Sequence, residues 1–337
     1  MNYLLLFFGL SLLFNCSNEF DLIAEGKDIP IVYGVLSSSE EFNYIRVERA
    51  FVDQNQSALD LAQDPEFLYY DNIIVNLKNA DTQQEINLER INVEELGIER
   101  ETGVFATSPN ILYRFKEENF PLEDDQTINL TITDGDTEQI LTESSTKIVG
   151  KYAISESAPA NPLLFRYDSD FTITWRSDED QALFYDVFMK IKYEEQNPAD
   201  PSEWIEKELL WTLDQTIERP VSAGNQLAPS ISFIMPGIKF YEFIAQNIDG
   251  SVETLRNFRG IDIIVNAGGE NLFNYIDVGS ANTGITSNQI INNFTNLSEG
   301  LGVFSSKSTV QVTDYNLRSI SRDSLRNGVI TKHLNFQ

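Results

Sequence analysis

Carboxylates are the most abundant side chains in this sequence that could do chemistry. The 337 residues include 52 Asp and Glu, and two such groups can hydrolyse a glycosidic bond when they lie roughly 5–10 Å apart in space. Spacing along the chain does not report that separation, and most of these acids fall in predicted turns or on predicted solvent faces. We therefore expect a protein that is not an enzyme, with hydrolysis of a glycan by paired carboxylates as the alternative.

The scarcity of other reactive side chains excludes several classes of function. One His (His333) and one Cys (Cys16) are too few for a zinc site of the usual Cys/His kind, for a disulfide, or for a Ser–His relay over most of the chain. Lys and Arg number 24, so the formal net charge is −28, and such a charge repels a phosphate backbone. Nucleic acid is therefore excluded as a partner. The acidic excess lies in residues 1–250, because residues 251–337 hold seven acidic and seven basic side chains.

Two clusters of aspartates are candidates for a structural calcium ion. Ca²⁺ takes six to eight oxygen ligands from converging loops, and the sequence places Asp134 and Asp136 in one predicted turn and Asp178 and Asp180 in another. Neither cluster matches the calcium loop of an EF-hand, and an Asp beside a Gly is equally typical of a tight hairpin. Calcium ligation and solvated turns both stay open. No cofactor is expected otherwise, apart from a covalent lipid.

Aromatic and basic side chains supply the candidates for binding. Five aromatic residues could either stack on sugar rings or pack in a core: Phe67, Tyr69, Tyr70, Phe273 and Tyr275. Arg318, Arg322 and Arg326 recur every four residues, which puts three cations on one face of a predicted helix. That face could bind an acidic partner or lipid headgroups, or it could pair with acidic residues of the same chain.

The first sixteen residues have the pattern of a bacterial lipoprotein signal. Residues 4–14 are almost wholly apolar, and this run is too short to cross the roughly 30 Å hydrocarbon core as a helix. Cys16 follows closely, and a polar, acidic stretch begins at Ser17. We predict a signal peptide over residues 1–15, a diacylglycerol thioether on Cys16 and a tether over residues 16–28. An ordinary secretory peptide with an incidental Cys is the alternative.

The remainder of the chain predicts an all-β fold. Short alternating segments broken by turn residues are typical of antiparallel sheets. Residues 29–150 form a first predicted β-sandwich and residues 151–268 a second, each of the immunoglobulin or fibronectin type III kind. Residues 238–249 fit a strand or a short helix equally well. Residues 269–337 are predicted as a C-terminal loop, strand and helix segment that packs on the second sandwich.

Four stretches of the sequence resemble a known group of proteins. Residues 29–51, 61–75, 103–109 and 266–306 are similar to a family of Bacteroidota-type outer-membrane lipoproteins of unknown function, and the segment GLGVFSS at residues 300–306 is the most distinctive part. The resemblance implies a protein anchored in the outer membrane by lipid, of the kind found beside TonB-dependent transporters. It brings no catalytic residues. Our own prediction is a non-enzymatic envelope protein that offers loops and sheet edges to an outer-membrane protein partner or to a nutrient.

The lipid anchor gives a direct prediction. Replacing the sulfur of Cys16 by oxygen removes the nucleophile that accepts the lipid, so the Cys16→Ser protein is expected in the soluble fraction instead of the membrane fraction. Cell fractionation checks this, and the intact mass of the mature wild-type protein should show both the loss of residues 1–15 and the added acyl chains. Membrane retention of the Ser variant at the wild-type level would contradict the anchor.

Overall fold

The computed structural model describes residues 29–50, 61–177, 181–221, 224, 226–250, 254–281 and 294–337. The strands in these ranges are β1 (Ile29–Leu36), β2 (Phe42–Ala50), β3 (Ile73–Asn79), β4 (Glu85–Asn87), β5 (Glu89–Asn92), β6 (Ile111–Lys116), β7 (Thr127–Asp134), β8 (Ile140–Lys147), β9 (Ala153–Ile154), β10 (Asp170–Arg176), β11 (Phe184–Gln196), β12 (Trp204–Glu218), β13 (Ser230–Pro236), β14 (Arg256–Gly268) and β15 (Leu301–Tyr315). The helices are α1 (Pro65–Leu68), α2 (Ile238–Asn247), α3 (Glu270–Ala281) and α4 (Ser319–Asn327), and short 3₁₀ helices cover Val93–Leu96, Glu117–Asn119 and Lys332–Leu334. The predicted all-β class with a small helical content is confirmed.

Three sheets carry these strands. The largest has eight strands in the order β12-β11-β14-β15-β1-β2-β6-β5, and the others have the orders β4-β3-β7-β8 and β13-β10-β9. Within the described part of the chain, no helix is long and apolar enough to cross a membrane.

The first hydrophobic core lies between one end of the large sheet and the four-stranded sheet. Val32 and Ile45 come from the large sheet, and Val75 and Leu130 come from β3 and β7 of the other. Each of these strands alternates buried side chains with more exposed ones, as a half-buried strand must, and in β7 most of the more exposed ones are polar. The two sheets therefore form a sandwich. Its core residues come from between Val32 and Ile148 of the sequence, with Leu297 and Phe304 added from the C-terminal segment.

The second core lies on the other end of the large sheet. It includes Trp175 and Tyr185, whose rings are 5.2 Å apart, and it is closed by β10, β13 and the buried side of α2. Residues 238–247 therefore form the helix that the periodicity allowed. In this helix, the ring of Phe243 stacks on the ring of Trp211 of β12, with ring centroids 4.4 Å apart.

Strand β15 belongs to both sandwiches. Its first six residues, Leu301–Ser306, pair in parallel with β1, and the remainder pairs antiparallel with β14 from Lys307 onward. Phe304 is buried in the first core and Tyr315 in the second. The C-terminal segment thus packs on the second sandwich as expected and also supplies a strand to the first.

Most of the C-terminal segment follows the sequence pattern, with one difference. The predicted strand and the predicted helix are present as β15 and α4, whereas the predicted loop contains helix α3. Asn, Gly and Ser alternate in that stretch with apolar residues. One of these, Phe273, contacts Phe184 with ring centroids 6.0 Å apart. Packing of this half-buried side outweighs the low helix propensity of its neighbours.

Gly302 is a position where β15 leaves no room for a side chain beside β1. Its φ is +117°, and a Cβ there would lie 1.9 Å from the carbonyl oxygen of Val32.

We expect Gly302→Ala to lower the free energy of unfolding by at least about 2 kcal/mol, since it adds backbone strain and a clash with the main chain. Urea unfolding followed by tryptophan fluorescence measures this. Gly103→Ala is the control, because a Cβ at Gly103 meets no atom within 4 Å, and equal stability of the two variants would refute the close approach.

Candidate functional site

A groove of about 880 Å³ lies on the outer face of the four-stranded sheet. The alternation of β3 and β7 creates this face, because Val75, Leu77 and Leu130 point into the first core and leave the intervening side chains outside. Ile, Val and Thr favour the strand conformation here. The groove is therefore a direct product of period-two patterning on adjacent strands.

Strand register arranges the groove side chains in two rows that cross the sheet. One row contains Asn87, Asn76, Thr131 and Glu143, and the other contains Glu85, Lys78, Asn129 and Ser145. Members of a row are direct cross-strand neighbours, so adjacent side chains stand about 5 Å apart. Ile74 and Thr133 close one end of the rows.

Residues 296–298 form one wall of the groove. They lie along β8, where Ser298 receives a hydrogen bond on its Oγ from the backbone N–H of Glu143 (2.8 Å) and donates its own N–H to the Glu143 carbonyl (2.7 Å). The side chain of Asn296 accepts from the N–H of Phe304 (2.9 Å) and donates to its carbonyl (2.7 Å). The segment that leads into β15 is thus fixed beside β8.

The groove is polar, and much of its hydrogen-bonding capacity is unused. Lys78 pairs with Glu85 (Nζ–Oε1 2.7 Å), and Asn76 donates to Asn87 (2.8 Å). Within the described residues, the side chains of Asn129, Thr131, Thr133, Glu143 and Ser145 make no hydrogen bond to the protein. These amide, hydroxyl and carboxylate groups are therefore available to a ligand.

The buried carboxylates serve as partners of cations. Glu48 is 2% exposed and accepts from Arg46 (Nη1–Oε1 3.0 Å) and Arg100 (Nη1–Oε1 2.7 Å). Asp262 is held by Lys192 (Nζ–Oδ1 2.7 Å), and Glu194 accepts from Arg259 and from the amide of Asn257. Each of these acids is held by its cationic partners, which suits a structural role.

The aspartates considered for calcium are engaged in a hairpin turn where the structure describes them. Asp134 accepts from the N–H groups of Asp136 (3.0 Å) and Thr137 (2.7 Å), and the hydrogen bonds from Thr137 hold its pKa below the usual range. Asp136 accepts from Asn72 (2.8 Å). Asp178 and Asp180 lie outside the described residues, as does Cys16. Among the described residues, no group of three or more His, Cys, Asp or Glu could hold a metal ion.

The aromatic candidates are dispersed. Tyr69 and Tyr70 are buried, and Tyr69 donates its hydroxyl to the carbonyl of Pro109 (2.8 Å), so neither ring offers a face for a sugar. Phe67 is partly exposed at the end of α1, where Arg49 donates to its carbonyl (2.9 Å). Phe273 packs on Phe184, as described above.

Tyr275 is paired with a residue that the sequence did not indicate. Its ring meets that of Tyr33 edge to face, with centroids 6.1 Å apart and hydroxyls 3.4 Å apart. Burial, with a smaller contribution from this contact, raises the pKa of Tyr33 to about 12. The pair joins α3 to the exposed side of β1, and neither tyrosine is among the residues that line the groove.

The three arginines lie at α4. Arg318 precedes the helix at its N-cap position, and Arg322 donates to Asn316 (3.3 Å). Arg326 is in the last turn, where a cation favours the helix dipole. None of the three forms an ion pair with an acid of the described chain.

Comparison with known proteins adds little to this geometry. No family model matches the chain, and no curated protein matches it. Among solved structures, the chain is similar to the FN1-FN3 domains of chicken CNTN1, with 11% sequence identity and a TM-score of 0.24, over 88% of this chain and 67% of that one. A TM-score this low supports no argument, so the groove is interpreted from its own side chains.

The Glu48 cluster gives a prediction for stability. Glu48→Gln leaves two arginines without their shared carboxylate in a mostly buried site, and we expect it to lower the free energy of unfolding by about 3 kcal/mol. Chemical unfolding followed by circular dichroism measures the change. Glu85→Gln is the control, since its pair with Lys78 is exposed and should contribute less than about 1 kcal/mol. Similar losses in both variants would show that the cluster is not a stabilising centre.

Proposed function

We propose that this chain is a non-catalytic lipoprotein of the outer membrane that holds a ligand in the groove on its four-stranded sheet. The groove carries the proposal, because it combines a volume of about 880 Å³ with several polar side chains that lack protein partners. Volumes of this size are typical of binding sites. The ligand is a nutrient or an exposed part of a protein partner.

The spacing of the groove carboxylates favours binding over hydrolysis. Glu85 and Glu143 lie on β4 and β8, the two outer strands of the sheet. Three strand intervals and two residues along the strands separate them, which corresponds to about 16 Å between their backbones. Glycosidases place their two carboxylates roughly 5–10 Å apart. The buried acids elsewhere are bound to cations, so neither set supplies a proton donor and a nucleophile across one bond.

The location at the outer membrane rests on the N-terminal sequence and on the family resemblance. Cys16 follows an apolar run too short to span a bilayer, and lipid on its sulfur would hold the sandwiches at the membrane. The resemblance to lipoproteins found beside TonB-dependent transporters supports such a transporter as the protein partner.

Filling the groove tests whether it binds. Thr131 lies at the centre of the groove, so the indole of Thr131→Trp should prevent a ligand from entering. Trp is compatible with a strand, so β7 should still form. We immobilise the full chain in detergent, pass solubilised envelope over it, and identify retained proteins and sugars by mass spectrometry. A component retained by the wild type is expected to be lost on Thr131→Trp.

The matched control is Thr172→Trp, at an outward position of β10 opposite the exposed Ile234. This variant should retain the component at the wild-type level. If wild type, Thr131→Trp and Thr172→Trp retain the same components, the groove is not the binding site and the proposal fails.

A further inference from the structure

The chemical groups in the groove restrict the class of ligand. The lining combines side-chain amides, hydroxyls and a few apolar atoms, and its cation Lys78 is already neutralised by Glu85. An anionic ligand would meet Glu143 and a chain of net charge −28. An apolar ligand would leave the amide and hydroxyl groups buried without partners, which costs free energy for each group. The groove therefore matches a ligand that is neutral and rich in hydrogen-bonding groups.

The arrangement of these groups matches a chain better than a compact molecule. The two rows cross four strands, so they repeat at the strand spacing of about 4.8 Å. A sugar ring is comparable in length with this interval and presents hydroxyls on both of its edges. Asn129 offers both a donor and an acceptor, Thr131 and Ser145 offer hydroxyls, and Glu143 offers two acceptors.

We propose that the groove binds a neutral polysaccharide chain lying across the strands, with its hydroxyls hydrogen-bonded by Asn129, Thr131, Glu143 and Ser145. This inference rests on the proposed function and names its ligand. Recognition occurs without stacking by the described residues, because none of those that line the groove is aromatic. The wall at residues 296–298 limits the chain on the β8 side, and the rows open toward β4.

The test uses the full chain in detergent and affinity electrophoresis in gels that contain one polysaccharide each. The neutral probes are dextran, laminarin, xylan and galactomannan, and the anionic probes are alginate and polygalacturonate. At least one neutral probe is expected to retard the wild-type protein. Retardation by the anionic probes alone, or by no probe, would overturn the proposal.

Conservative variants identify the residues that bind. Thr131→Val keeps the shape and removes one hydroxyl, so it should weaken binding about fivefold, the effect of one hydrogen bond. Thr172→Val is the matched control and should bind as the wild type does. Glu143→Gln keeps one of the two acceptor oxygens and removes the charge, so it should weaken binding of a neutral sugar by no more than Thr131→Val does. Equal binding by Thr131→Val and wild type would place the sugar elsewhere and overturn the proposal.

The results separate this inference from the proposed function. If Thr131→Trp abolishes retention of an envelope component while no neutral polysaccharide binds, the groove is a binding site for another ligand and only the sugar proposal falls. If Glu143→Gln abolishes retention of the envelope component, the ligand is cationic. In that case too the sugar proposal fails and the groove remains a binding site.

Discussion

The structure depends on the pairing of β15 with two strands from different sandwiches. Its first part lies parallel to β1 and its second part antiparallel to β14, so one continuous backbone carries hydrogen bonds in both halves of the large sheet. Gly302 makes the first contact possible, since any side chain there would meet the carbonyl of Val32. A parallel neighbour must come from a distant part of the chain, because parallel strands require a long crossover.

The same strand also shapes the groove. Asn296 binds the backbone of Phe304, and Ser298 binds the backbone of Glu143, so the segment entering β15 is fixed against β8 as the wall of the groove. The floor comes from β3 and β7, whose inward residues fill the first core. The floor and this wall of the site are thus held in place by the core and by hydrogen bonds before any ligand arrives, which reduces the entropy lost on binding.

Local patterns in the sequence identified most strands, whereas the arrangement of those strands required the structure. The β7–β8 hairpin and α4 follow from alternation and periodicity within one segment. The rows of the groove do not, because Asn76 and Thr131 become neighbours only when β3 pairs with β7. Alternating Asn and Thr on two strands was the available signal, and it resembles any solvated face. Tyr69 and Tyr70 were considered for sugar stacking but lie inside, where the hydroxyl of Tyr69 finds a carbonyl.

The parallel contact between β1 and β15 has a consequence for how the protein is made. Ile31 and Leu301 are partners although about 270 residues separate them. A polypeptide emerges from a ribosome or an export channel with its N-terminus first. Strand β1 is therefore outside long before β15. The first sandwich therefore reaches its final form only after nearly the whole chain has emerged, and β1 has one open edge until then. Chaperones that shield exposed strand edges would act in this interval.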